Sequence, residues 1–158
     1  MNVEDCLGCN LTNGKLDLPG GRIHATQYWV VEHCIGPLGI GTLIVKPFRH
    51  CVNYWELTRR EAEELGPLLC LVAQTIQTIL HPDQVYICQW SHMGWKPGHL
   101  HFVVQPSWNR LKEEHRRPGP FLQVDMFKAD KKLNRKDVET FSEKARTTIQ
   151  SLQDRVCR

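Results

Sequence analysis

Two histidines pose the first chemical question. His99 and His101 stand two apart in the run Gly98-His99-Leu100-His101-Phe102-Val103-Val104-Gln105-Pro106. In an extended strand successive side chains alternate between faces, so both imidazoles project the same way and Leu100 and Phe102 project toward a core. Neutral imidazole near pH 7 serves as nucleophile, base or metal ligand. Two half-exposed surface histidines would give the same spacing. Gly94, Pro97 and Gly98 lie just upstream, and glycine lets backbone approach a bound group closely. A second cluster, Cys6-Leu7-Gly8-Cys9, is a Cys-x-x-Cys pair. Thiolates at that spacing supply half of a tetrahedral zinc site, and the missing ligands must come from distant residues, with His50 and His99 the candidates. The alternatives are two unrelated thiols or a redox motif, which prefers a helix start in a βαβ setting that this chain lacks.

Those residues need a scaffold, and its elements are legible in outline. The stretch up to Arg22 is rich in Gly, Asn, Asp and Pro and reads as loops and turns. Strands are expected at 27–32, 42–45, 85–88 and 99–105, with a weaker one at 121–127. Thr58-Arg59-Arg60-Glu61 has capping-box spacing. It opens a long helix in which Leu65, Leu68, Leu69, Val72, Ile76, Ile79 and Leu80 recur at helical spacing. Pro67 inside that pattern predicts a kink or a later start. A polar amphipathic helix over about 135–155, capped by Asn134, closes the chain. Short strands, one long helix, more strands and a terminal helix make an α+β domain with about five antiparallel strands.

Size and composition narrow the function classes. The 158 residues, 41% of them hydrophobic, suit one domain over 1–158 whose core needs no disulfide scaffold. The seven cysteines are an odd number and cannot all pair within one chain. A net charge of +3 gives no footing for binding a nucleic-acid duplex. The basic runs at 110–117 and 128–136 read as solvated faces. Residues 1–5 lack the basic start and apolar stretch of a secretory signal, and no apolar run approaches a membrane span, so a cytoplasmic protein with no membrane partner is expected.

The run His99-Leu100-His101-Phe102-Val103-Val104-Gln105-Pro106 resembles the histidine-triad (HIT) motif, in which three histidines alternate with apolar residues. Gly41-Thr42-Leu43-Ile44-Val45-Lys46-Pro47-Phe48-Arg49-His50 resembles the family's upstream strand, which ends in a basic turn and a histidine. Cys6-x-x-Cys9 resembles the zinc-bearing bacterial branch. The resemblance covers about 5–106, with the remainder an extension bearing the terminal helix. It implies a structural zinc held by Cys6, Cys9, His50 and His99, and a homodimer built on the long helix and the adjoining strand edge, for which Leu68, Val72, Ile76 and Ile79 are offered as contacts; the alternative is that all four face the protomer's own core. Two departures matter most, beside Gly94-Trp95-Lys96 in place of the family's Gly-Gln-Ser-like approach. Val103 stands where the third histidine belongs. The acid that binds the nucleotide ribose has no direct match, Cys34 falling near that place with Glu32 and His33 beside it.

The resemblance implies a reaction in which His101 attacks the α-phosphorus of a nucleotide conjugate, such as a nucleoside phosphoramidate or a dinucleoside polyphosphate, and water then hydrolyses the nucleotidyl-histidine. One ring nitrogen of His101 should donate to a backbone carbonyl and so fix the tautomer. Lys96, Gln105 and backbone amides around 94–98 are expected to face the phosphate. Trp95, flanked by Trp90 and Trp108, is expected to stack on a base, and Glu32 to stand in for the ribose acid. Two other readings remain: a catalytically weak nucleotide-binding or regulatory protein, favoured by Val103 and the missing acid, and a zinc-stabilised scaffold.

Overall fold

The structure, a computed structural model, describes residues 5–93, 96–109, 111 and 119–156. A short helix α1 (Leu7–Thr12) precedes three strands, β1 (Arg22–Ala25), β2 (Trp29–His33) and β3 (Leu43–Pro47). A single 3₁₀ turn (Tyr54–Glu56) leads into α2 (Arg59–Leu80), then the long strands β4 (Gln84–Met93) and β5 (Lys96–Ser107). Two helices follow, α3 (Pro120–Ala129) and α4 (Arg135–Val156). The strands form one antiparallel sheet in the order β1-β2-β3-β5-β4. The α+β expectation with five antiparallel strands therefore holds.

Strand alternation divides the sheet into two unlike faces. Trp29, Val31, Leu43, Val45, Phe102 and Val104 form the core face. They pack against Leu65, Leu68, Val72 and Ile76 of α2 and Phe141, Ala145 and Ile149 of α4. Leu68, Val72 and Ile76 are thus inside the protomer. The expectation that they make dimer contacts fails because α4 supplies the apolar partner they need. α2 begins where the capping box sets it: the Thr58 hydroxyl accepts from the Glu61 N–H, and the Glu61 carboxylate accepts from the Thr58 N–H at 2.7 Å. It continues unbroken through Pro67. That proline is exposed, so the carbonyl of Glu63 that loses its partner can be hydrated. Asn134 caps α4, accepting from the Lys136 N–H at 2.9 Å.

Three local expectations are corrected. Residues 121–127 are helical. Pro120 presets the first turn and Gly119 takes a positive φ of 64° as its cap. Leu122 is buried and Met126, one turn on, packs against Cys34, Leu38 and Val103, while Phe121, Val124 and Phe127 are exposed. The fifth strand is instead β1, whose only large apolar residue is the buried Ile23. The third correction is α1, hidden within a stretch of turn-forming residues. Cys6 is its N-cap, the Sγ accepting from the Cys9 N–H at 3.4 Å.

Candidate functional site

The chemistry-bearing residues collect on the sheet face turned away from the core. On β5 that face carries His99, His101, Val103 and Gln105 in order. α1 covers the His99 end: a Cβ added at Gly8 would lie 2.8 Å from the His99 side chain, so only glycine lets the helix come this close. α3 covers the other end, where Met126 packs with Cys34, Leu38, Ile44, Cys88 and Val103. His101 lies between the two covers, half-buried.

At the α1 end, Cys6, Cys9, His50 and His99 turn one ligand atom each toward a common centre, all within 4.8 Å of one another. Nδ1 of His99 is 3.4 Å from Cys6 Sγ and 3.5 Å from Cys9 Sγ, and Nδ1 of His50 is 3.5 Å from Cys9 Sγ. A tetrahedron with zinc's usual bond lengths to sulfur and nitrogen has edges of roughly 3.3–3.8 Å, so these separations fit a four-coordinate ion without rearrangement. The tautomer fits as well. Nε2 of His99 donates to the Pro47 carbonyl at 2.9 Å, which leaves the Nδ1 lone pair for a metal and supplies the backing hydrogen bond that ligating histidines use. Without a cation, burial first, and then Cys6 alongside, push the Cys9 thiol up to about 11. Burial also holds His99 down to about 4. A divalent ion at the centre would convert the thiols to thiolates.

Distant segments hold this cluster together. Arg49, next to His50, donates through Nε and a terminal nitrogen to the two oxygens of Glu61 at 2.6 and 2.9 Å, tying the basic turn to the start of α2. Arg49 and the Thr58 cap keep the Glu61 carboxyl at about 2. The Leu100 N–H donates to the Cys51 carbonyl at 2.7 Å, fixing the same turn beside β5.

His101 is held differently. Its Nδ1 donates to the His99 carbonyl at 2.7 Å, the tautomer-fixing bond that the sequence led us to expect. Nε2, left with its lone pair, has no hydrogen-bond partner among the described residues. Burial lowers the His101 pKa from its ordinary value, and the charge of Lys46 lowers it further. A neutral imidazole with one nitrogen anchored and the other free can act as a nucleophile or proton acceptor.

The remaining expected site residues are placed unevenly. Gln105 shares the His101 face but is fully buried, donating to the Leu38 carbonyl at 3.0 Å and to Met126 Sδ at 3.1 Å. Its Oε1 is buried without a partner among the described residues. Glu32 is buried beneath α1 in an ion pair with Lys46 at 2.5 Å. Cys34 is buried beside Val103. Trp95 and the side chain of Lys96 lie outside the described residues. Lys46 was missed. The available signal was a lone cation inside the apolar run Leu43-Ile44-Val45, at the position whose alternation puts it off the core face.

Comparisons with known proteins agree on the fold. A histidine triad nucleotide-binding protein from Sulfolobus tokodaii, itself described as hypothetical, superimposes with a TM-score of 0.72 at 22% identity over 94% of both chains. A zinc-bound histidine triad family protein from Mycobacterium smegmatis gives 0.69 at 18% identity, over 97% of this chain and 99% of its own. A Hit-like protein involved in cell-cycle regulation from Bartonella henselae gives 0.68 at 13% identity, over 92% and 97%. No protein-family model matches the sequence, and no curated protein matches it. At these identities the likeness is one of architecture: the chain has the histidine-triad fold. It carries on that fold a Cys₂His₂ cluster suited to a metal ion and a single half-buried histidine beside it.

Proposed function

We propose that this chain binds nucleotides and cleaves a nucleotide conjugate at its α-phosphate, with His101 as the nucleophile. The observation that carries the reading is the state of His101, anchored through Nδ1 and without a partner at Nε2 among the described residues, on the face between α1 and α3. The Nε2 lone pair forms a bond to phosphorus as the bond to the amine or phosphate leaving group breaks. The leaving group departs with the electron pair and takes up a proton. Water then attacks the nucleotidyl-histidine, releases a nucleoside monophosphate and restores neutral His101. Cys6, Cys9, His50 and His99 would hold one zinc ion. When bound, it supplies a tether that fixes α1 and the base of β5, leaving His101 as the free imidazole. We place the protein in the cytoplasm as a homodimer paired along the edge of β4.

A second reading has its own support. Val103 cannot donate to a phosphate, Gln105 is engaged elsewhere, and Met126 packs over the apolar half of the face. Those features favour a nucleotide-binding protein with weak turnover. The deciding experiment incubates the zinc-loaded protein with adenosine phosphoramidate and diadenosine polyphosphates and searches by mass for a nucleotide adduct on His101. Turnover that disappears in His101→Ala, with zinc content and folding unchanged, supports the hydrolase. Binding without turnover selects the second reading.

A further inference from the structure

β3 carries one charged residue, Lys46. Its neighbours on the same sheet face, Val30 and Val103, are buried and apolar, and Ile44 packs into the same layer. An aliphatic residue would suit this layer, because replacing a buried ion pair by apolar groups is often neutral or stabilising. Yet Lys46 is 3% exposed and paired with an equally buried Glu32 at 2.5 Å. Its ammonium also donates to the Gly8 carbonyl at 2.9 Å. Thr12 Oγ1 lies 3.4 Å from the other Glu32 oxygen. The ammonium thus makes one hydrogen bond and one ion pair, and no further partner of its N–H groups is found among the described residues. A buried donor left unpaired is costly.

The register shows what the spare donor is near. β3 and β5 pair antiparallel with Ile44 opposite Val103 and Val45 opposite Phe102. The pairing ends there, and Lys46 and His101 are the next residue of each strand, on the same face. Lys46 is also close enough for its charge to help depress the His101 pKa. Among the described residues, the buried cation of this face therefore lies beside the histidine whose second ring nitrogen has no partner.

We infer that Lys46 is a binding residue for the anionic group presented to His101, a remaining N–H donating to a phosphoryl oxygen held against Nε2. Glu32 holds the ammonium in place and competes with the ligand for it, so the pair sets how strongly a phosphate binds. The identity of the anion as a phosphoryl group rests on the function proposed above. Binding at Lys46 can be measured without any turnover.

The test titrates zinc-loaded full-length protein with AMP and with inorganic phosphate, by calorimetry and by ³¹P line width. Removing Lys46 alone would strand a buried carboxylate, so the comparison is between Glu32→Gln and the double variant Glu32→Gln/Lys46→Met. Glu32→Gln should bind AMP more tightly than wild type, because the competing carboxylate is gone. The double variant should bind about tenfold more weakly than Glu32→Gln, the loss of one charge-assisted hydrogen bond. Equal affinities in the two variants, with zinc and fold intact, would reduce the pair to a clamp on α1 and overturn the inference. So would the absence of AMP and phosphate binding by wild type. If either variant fails to fold, the ¹⁵N resonance of the Lys46 ammonium in wild type decides. It should shift on saturation with AMP, and an unmoved resonance refutes the contact. The two proposals fail separately. Lys46-dependent binding without turnover overturns only the hydrolase. Turnover with kcat/KM equal in Glu32→Gln and the double variant overturns only the role of Lys46.

Discussion

Replacing Glu61 by glutamine tests how the fold holds its metal cluster. Glu61 is buried, accepts two hydrogen bonds from Arg49 and two from Thr58, and is one link between the His50 turn and α2. Its carboxyl is held near 2, against an ordinary 4.5. At about 1.4 kcal/mol per pH unit, that displacement gives a ceiling of about 3 kcal/mol. Arg49 is 43% exposed, so solvent screening lowers the expected loss to about 2 kcal/mol at neutral pH. The sign of the pH dependence follows from the depressed pKa. The stabilisation is fully present above the unfolded value near 4.5 and is lost as pH falls toward 2. Urea unfolding of wild type and Glu61→Gln should therefore differ by about 2 kcal/mol at pH 7, with the same m-value. The gap should close progressively below pH 4.5. Zinc affinity, measured by chelator competition, should fall by up to about tenfold as the turn bearing His50 loosens. A gap that is absent at pH 7, or that stays constant down to pH 3, refutes the ion-pair account.

Other expectations follow from the same geometry. Protein purified without chelator should contain about one zinc per chain by elemental analysis, and Cys9→Ala should release it. With free zinc at 100 times its Kd, the ion contributes about 2.7 kcal/mol, so the melting temperature should fall by about 5–10 °C. Val103→His, which restores a third histidine, should destabilise by about 1–3 kcal/mol, because Val103 is buried against Cys34, Leu38 and Met126. Combined with Met126→Ala it should regain stability in thermal melts, and there a rise in turnover is expected. Light scattering at micromolar concentration should give a dimer mass. Substitution of the exposed Ile87 on the edge strand β4 by lysine should shift that mass toward the monomer.

The sequence by itself determined whatever depends on local periodicity. The capping box at Thr58, the apolar spacing through α2, the Asn134 cap and the alternation in β5 are encoded within a turn or two of chain. The last of these put His99 and His101 on one face. His50 and His99 were only candidate partners of the Cys6-x-x-Cys9 pair until resemblance to a family implied the set; no local rule joins residues 41 to 93 positions apart. Tertiary structure decided the rest. Residues 121–127 have strand-like composition, yet they form a helix because a proline and a positive-φ glycine start one and Met126 packs against Cys34, Leu38 and Val103. β1 has too little apolar character to announce itself and exists because β2 offers it an edge. Lys46 and Glu32 look like ordinary surface charges until strand register and the cover of α1 enclose them. Gln105 looked available to a ligand until α3 took its amide. Burial is a property of what packs on top, and the segments that cover this face, α1 and α3, are the ones whose local sequence signals were weakest.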